Sequence, residues 1–410
     1  MSDVAKTDDR PPTETYLLAN DDHGRQIVSV HVKRTYTLRP DGVCVPSELQ
    51  MPLLMRPLPA PEGQEPFYET DIVPFKRATD LIVMATAHGR GRRRLEAGIR
   101  IGPLQLTYRI SGTRRCIYRG RGSIAFSEPE PIEELPIRYE SAYGGVDESV
   151  PYPEIRHLED LMRFHPGVYP RNPVGKGYVV FDNRDAIDGR ELPNIEHPQQ
   201  LVTPDRLVTG GPDRWWRQPL PWSTDWFDKS WYPRIVHFGG IPDGLPPDDR
   251  VLPEVQLGWL DPNHSKHIRT LEDPPDSRLA DAASPSLVLP FLQGNEAVEL
   301  TEMTPDGRIV VRLPNEVPRI RLRHGGRVDD LRPIPHRILI STDEMGVYVV
   351  WHAGWLTPHP LPRRFPRAGD PPTLGLEGID VIVDERKIEP LGAEPAAATD
   401  GPAEPQTAPR

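Results

Sequence analysis

The chain has 410 residues, of which 37% are hydrophobic, and a formal net charge of −11 at pH 7. That is enough apolar material for two or three ordinary domains or one large β-rich one, and too little net charge for wholesale disorder. Proline, at 51 residues, is at about twice its usual share, which excludes an architecture of long helices because proline ends helices and interrupts ladders.

The first 13 residues are polar and are expected to form a disordered lead. They contain no apolar stretch of the kind that marks a signal peptide. No apolar run approaches the roughly 20 residues that a membrane-spanning helix needs. Two cysteines, Cys44 and Cys116, are too few for a disulfide framework and suit a reducing compartment. A cytoplasmic location away from the membrane is therefore the expectation.

Residues 14–271 are expected to form a β-rich main region. Val28, Val30 and Val32 alternate with Ser29, His31 and Lys33, and Thr35, Tyr36 and Thr37 follow; period two with β-branched and aromatic residues predicts a strand. Leu104, Leu106, Tyr108 and Ile110 alternate with Gln105, Thr107 and Arg109 and predict another. His157–Phe164, with Leu158, Leu161 and Met162 on one side, is the best helical candidate. From Pro193 to Pro275 the chain is dense in Pro, Gly, Asp and Trp, which predicts long ordered loops with short elements. Five tryptophans in that block, Trp215, Trp216, Trp222, Trp226 and Trp231, argue for order because each buries a large area.

Residues 272–285 hold four acids, one arginine and three prolines and form a possible linker. Residues 286–385 are expected to be a hairpin region of the same unit. Val298–Met303 and Arg308–Leu313 flank Pro305-Asp306-Gly307, and Arg337–Ser341 and Val347–Trp351 flank Asp343-Glu344-Met345-Gly346; glycine at each loop end tolerates positive φ. Residues 386–410, rich in Ala, Pro, Glu and Thr, are expected to be a disordered tail. The fold expected is mostly β, a β-rich α+β chain of Pro-rich antiparallel sheets with long ordered loops and few short helices.

Catalytic motifs leave little trace. Asn172-Pro173-Val174-Gly175-Lys176-Gly177 resembles a phosphate loop only superficially, since Pro170 stands where its first Gly belongs and Gly177 where Ser or Thr would ligate magnesium. His264 and His267 form an H-x-x-H pair without the Glu or Cys of a metal site. Cys44 and Cys116 lie on predicted strands and are expected to pack as small apolar residues. No G-x-S-x-G elbow occurs. Neither a cofactor nor a metal is expected. Carboxylates between Asp182 and Glu196 keep a glycan-directed hydrolase open as an alternative, because that chemistry needs two acids across a cleft.

Charge is distributed unevenly. From His88 to Gly122 there are ten arginines and one acid, Glu96, so this segment carries +9 and the remainder −20. Arginine's planar fork suits carboxylates and phosphates. Either these arginines pair with the chain's own acids, or they form a docking face for an acidic partner. Overall acidity argues against nucleic acid. Arg92, Arg93, Arg94, Arg114 and Arg115, with Trp215 and Trp216, are the candidate partner-binding residues.

The order of further motifs carries a resemblance. Gln26–Leu38 with Asp41-Gly42 and Gln50 opens the series, and Glu69-Thr70-Asp71-Ile72-Val73-Pro74-Phe75-Lys76 with Thr79-Asp80-Leu81 and Ala87-His88 continues it. Next come Leu135–Glu140 with Ala142-Tyr143-Gly144-Gly145, then Asn172–Tyr178, then Leu192-Pro193-Asn194-Ile195-Glu196. Gly294-Asn295-Glu296, Leu313-Pro314 and Val349-Val350-Trp351-His352 close it. In this order, over about residues 15–360, the chain resembles the domain of unknown function 2169 family (DUF2169). The resemblance implies a non-enzymatic adaptor or chaperone of type VI secretion, binding an effector toxin and helping to load it onto the VgrG/PAAR spike. A structural piece of the secretion apparatus is the other reading in that context. It carries over no catalytic residue. The motif glycines suit positive φ or close backbone approach, and Asn172-Pro173 and Pro193-Asn194 suit turns. The loops read mainly as architecture and secondarily as a binding surface, with Lys176 and Glu196 as the polar members most suited to function or to pairing with each other.

Overall fold

In the computed structural model, the residues described are 13–21, 23–40, 42–58, 68–120, 123–151, 165–238, 244–260, 281–361 and 379–390, with backbone alone from 385. The valine alternation of Gln26–Thr37 makes a 12-residue strand at the heart of a seven-stranded sheet. On one side it pairs antiparallel with Glu14–Asn20, and on the other with Gly346–Leu356. Ile334–Ser341 follows, then Thr79–Met84 and Val288–Leu289. Both predicted C-terminal hairpins are present, since Ala297–Thr301 pairs with Arg308–Arg312 and Ile334–Ser341 with Gly346–Leu356.

The first of those hairpins belongs to a six-stranded sheet. In spatial order it holds Ile195–Glu196, Leu104–Ser111, Arg94–Ile101, Ala297–Thr301, Arg308–Arg312 and Gly42–Val43. Its inward side chains, among them Leu95, Ile99, Tyr108, Val298 and Val311, join Val28, Val32, Leu81, Ile340 and Trp351 of the first sheet in one hydrophobic core. Two sheets with a shared apolar interior are a sandwich, and this alternation of buried and exposed residues is its signature. The pairing is not wholly antiparallel. Thr79–Met84 runs parallel to Ile334–Ser341, which a connection of some 250 residues permits and a hairpin could not.

A second core lies outside the sandwich. Tyr143, Tyr169, Tyr178, Leu207, Trp215 and Tyr232 are among its buried members. It is built from loops and short helices such as Pro204–Arg206, Pro212–Arg217 and Pro253–Gln256, as the proline density predicts. The tryptophan stretch stitches the cores together. Trp222 and Trp226 pack in the sandwich, Trp215 in the second core, and Trp231 in a small third cluster with Tyr139 and Phe227. Between them, Thr224 bonds Val83 in both directions, its carbonyl accepting from Val83 N at 2.9 Å. That occupies backbone groups beyond the end of Val288–Leu289, at an edge that would otherwise stand open.

Two expected boundaries shift. Residues 281–285 of the proposed linker are buried rather than free, while 272–280 lie outside the described residues. Residues 386–390, expected to open the tail, instead lie in the strand Ile379–Pro390, which pairs with Glu316–His324. Its Ile379, Val381 and Val383 alternate with Asp380 and Ile382 and pack with Ile320 and Leu322, so the apolar row of its first half sets the pairing. Residues 1–12, the predicted helix His157–Phe164 and residues 391–410 lie outside the described residues. Among the described residues no helix is long and apolar enough to cross a membrane.

Candidate functional site

The centre of the outer face of the seven-stranded sheet does not meet solvent. Ser29, His31 and Lys33 point away from the sandwich core, yet all are buried, because the Glu69–Lys76 segment and residues 281–284 lie against them. Lys33 Nζ lies 2.8 Å from Asp71. Arg337 donates to Asp71 at 2.9 Å and bonds Asp281 through two nitrogens. Lys76 Nζ lies 2.6 Å from Asp80, and Arg234 lies 3.9 Å from Glu69. Four bases and four acids thus balance inside the protein, which the cost of burying an uncompensated charge requires.

Three histidines complete this centre. His31 and His352 are cross-strand neighbours, with ring centroids 5.2 Å apart, and His336 stands edge-on 5.7 Å from His31. His31 Nε2 donates to the Val73 carbonyl at 2.9 Å, and His352 Nε2 lies 2.8 Å from Ser29 Oγ. Burial pushes His31 down to about 4 and His352 down to about 3, and it holds His336 well below its ordinary value. All three are neutral imidazoles at pH 7. Burial raises Asp80 against the pull of Lys76; at Asp281, Arg337 overcomes the same effect and holds the carboxyl low. Among the described residues no group of three or more His, Cys, Asp and Glu is disposed to hold a metal ion.

The glycine-rich motifs knot two loops together. A Cβ on Gly144 would meet the Asn172 carbonyl at 2.1 Å, and one on Gly145 would meet that of Gly175 at 2.3 Å. Asn172 Nδ2 donates to the carbonyls of Tyr139 and Tyr143 at 2.8 and 3.0 Å. The space that a phosphate would need beside Gly175 is filled by Asn172 and Ala142, and Gly177 packs on Pro193. Pro173 continues this turn, and Tyr143 donates to Gln218 at 3.2 Å. Asn194 Nδ2 donates to the Ser111 carbonyl at 3.0 Å, tying the Pro193-Asn194 turn to the six-stranded sheet. Lys176 and Glu196 do not pair with each other. Lys176 lies 3.4 Å from Glu191, while Glu196 accepts from Arg114 at 2.6 Å and from the amide of Val202 at 2.7 Å.

The arginine segment divides its members between the protein and solvent. Arg114 is committed to Glu196 and to the Pro193 carbonyl, and Arg115 to Glu191 and Glu130. Arg92 donates to Glu302 at 2.5 Å, and that contact holds the Glu302 carboxyl below the usual range. Arg93 donates to the Pro129 carbonyl. Arg94, exposed, reaches Glu128 at 3.8 Å. The surplus acids of the chain therefore engage many of these arginines, as one of the two sequence readings has it.

Trp215 is the clearest departure from the expected surface. It is 2% exposed, edge-on to Tyr232, with the Arg171 guanidinium 5.0 Å over its ring. Arg171 in turn bonds the buried Glu254 through two nitrogens. A side chain so enclosed supports the fold and cannot reach a partner. Trp216 is half-buried under Arg217. Three of the five acids between Asp182 and Glu196 are likewise engaged: Asp188 accepts from the amide of Tyr118, and Glu191 and Glu196 hold arginines. Cys44 and Cys116 are buried, and burial pushes both thiols up to about 11. His264 and His267 lie outside the described residues.

The histidine centre carried a signal that composition alone could not sort. His31 occupies an outward position of an alternating strand, and Glu69, Asp71, Lys76 and Asp80 crowd one short motif. Which partners they meet depends on strands some 250 residues away. The surface opens instead on the six-stranded sheet, where Gly98 leaves a concavity of about 320 Å³ between Glu96, Arg100, Gln105, Thr107, Glu299 and Thr301.

A model of a bacterial protein family, described as "Uncharacterized protein conserved in bacteria (DUF2169)", matches residues 23–352. No curated protein and no solved structure matches the chain.

Proposed function

We propose, on the premise that the chain belongs to the DUF2169 family, that it is a non-enzymatic binding protein of the bacterial cytoplasm. In this reading it holds an effector toxin for type VI secretion and helps to load it onto the VgrG/PAAR spike. One observation supports the reading above others. The densest gathering of charged and titratable side chains is enclosed and internally neutralised, with His336, Asp281 and Arg337 each no more than 1% exposed. The solvent face of the six-stranded sheet is polar and carries a shallow concavity. An enclosed, balanced centre makes a rigid scaffold; an open polar face suits association with another folded surface.

The test is genetic and biochemical. Deleting the gene in its native host should abolish export of one toxin while the secretion apparatus still assembles and contracts. The tagged protein should co-purify with that toxin and with a spike component. Unchanged export of every toxin, or turnover of a glycan by the purified chain, would refute the proposal.

A further inference from the structure

The solvent face of the six-stranded sheet has a charge balance opposite to that of the whole chain. Arg94, Arg100, Arg109, Arg308 and Arg312 stand there against Glu96, Glu196 and Glu299, an excess of two positive charges in a protein of net −11. Glu299 is shared by two of them. Arg308 Nε and Arg100 Nε donate to it at 2.7 and 2.8 Å, and these bonds hold its carboxyl below the usual range. Glu96 is opposite Arg109 in register. Arg312 is exposed and has no acid partner among the described residues.

Gly98 sits in the middle of this face with no side chain, and the concavity of about 320 Å³ opens over it. A Cβ there would meet Thr301 Oγ1 at 2.9 Å, so the neighbours already close in and the groove is shallow and narrow. None of its lining residues is aromatic, which removes the stacking platforms that single-stranded nucleic acid uses. Charge complementarity with arginine forks favours carboxylates. An extended chain repeats its side-chain direction every roughly 6.5–7 Å, the spacing of outward residues along a strand. Arg308 and Arg312 are four residues apart on one strand, so acids at every fourth position of such a chain can meet both.

We propose that this face is the docking site for an extended acidic segment of a partner protein, lying over Gly98 with its carboxylates on Arg100, Arg308 and Arg312. The inference rests on the binding role proposed above and gives that role its partner chemistry. The segment displaces part of the Glu299 pairing and meets Arg312 without competition from an acid among the described residues. Because these groups are solvent-exposed, association weakens steeply with salt.

The test uses the full chain and a fluorescein-labelled decapeptide of alternating Asp and Ser, followed by fluorescence anisotropy at low and physiological salt. Saturable binding is expected, weakened at least tenfold in R100E/R308E/R312E and about threefold in R312E alone; R312E breaks no ion pair among the described residues and guards against a folding defect. R319E, on another sheet, should bind as the wild type does. Equal binding by the charge-reversed variants, or a ten-nucleotide oligothymidylate that binds as tightly as the acidic peptide, would overturn the assignment. Co-purification separates this proposal from the one it rests on. A toxin recovered equally by wild type and triple variant refutes the face alone, whereas no toxin recovered by either removes both.

Discussion

At His31, His336 and His352, burial favours the neutral imidazole, and the consequence is a defined pH dependence. An unfolded histidine takes its proton near pH 6.5, while His31 in the fold resists until about 4 and His352 until about 3. Below pH 6.5 the unfolded chain therefore binds more protons than the folded one. The stability is fully present above that pH and is lost as pH falls towards 4. Each histidine contributes about 1.4 kcal/mol per pH unit in this window. Their surroundings, Lys76, Arg337 and Asp281, are themselves buried, so solvent offers little relief. Urea midpoints should fall sharply between pH 6.5 and 5, and His352→Gln should flatten that slope; a pH-independent midpoint would contradict the buried triad. Arg337 answers to two acids, Asp71 and Asp281. Arg337→Ala should cost about 3–5 kcal/mol, because it leaves buried carboxylates unpaired, and chemical denaturation at pH 7.5 checks it. Gly145, at φ 98° and with its Cβ position 2.3 Å from the Gly175 carbonyl, should tolerate alanine only at a cost of about 2 kcal/mol or more.

Among the elements, the strand Ile379–Pro390 is the most exposed to a direct test. It pairs along the whole of Glu316–His324 and covers Ile320 and Leu322, both fully buried. Truncation after Leu361 should uncover that apolar row and free a ladder of backbone groups. Amide exchange should then accelerate through residues 316–324, while Gln26–Thr37, paired on both sides in the larger sheet, keeps its protection. Uniform acceleration throughout would mean that the ribbon is integral to the sandwich. The loop knot at Tyr143–Gly145 and Asn172–Gly177 works differently. It is held by side-chain amides and by glycines that let backbones touch, so its order depends on particular residue types rather than on ladder length.

For the molecule as a whole, the decisive feature is how far apart in sequence its neighbours lie. Both sheets take strands from before residue 112 and from after residue 287. The buried ionic centre joins Lys33, Asp71 and Asp80 to Asp281 and Arg337. Residues 1–285 expressed alone would leave each sheet without central members and several charges unpartnered. They should show no cooperative unfolding transition, and co-expression with residues 286–410 should restore one. A fragment 1–285 that folds cooperatively would show that the sandwich is divisible.

The strands and turns were legible in the sequence because they are local. The alternation of Val28, Val30 and Val32, the Pro305-Asp306-Gly307 turn and the proline density between 193 and 275 each act through neighbours in the chain. Those patterns determined a mostly β protein with ordered loops, and the motif order determined its family. Only tertiary structure decided what covered each face. Lys33, His31 and Trp215 carry no local mark that distinguishes a sealed centre from an open surface. Their burial depends on segments brought up from distant parts of the chain, and side-chain period records which way a residue points but not what it meets.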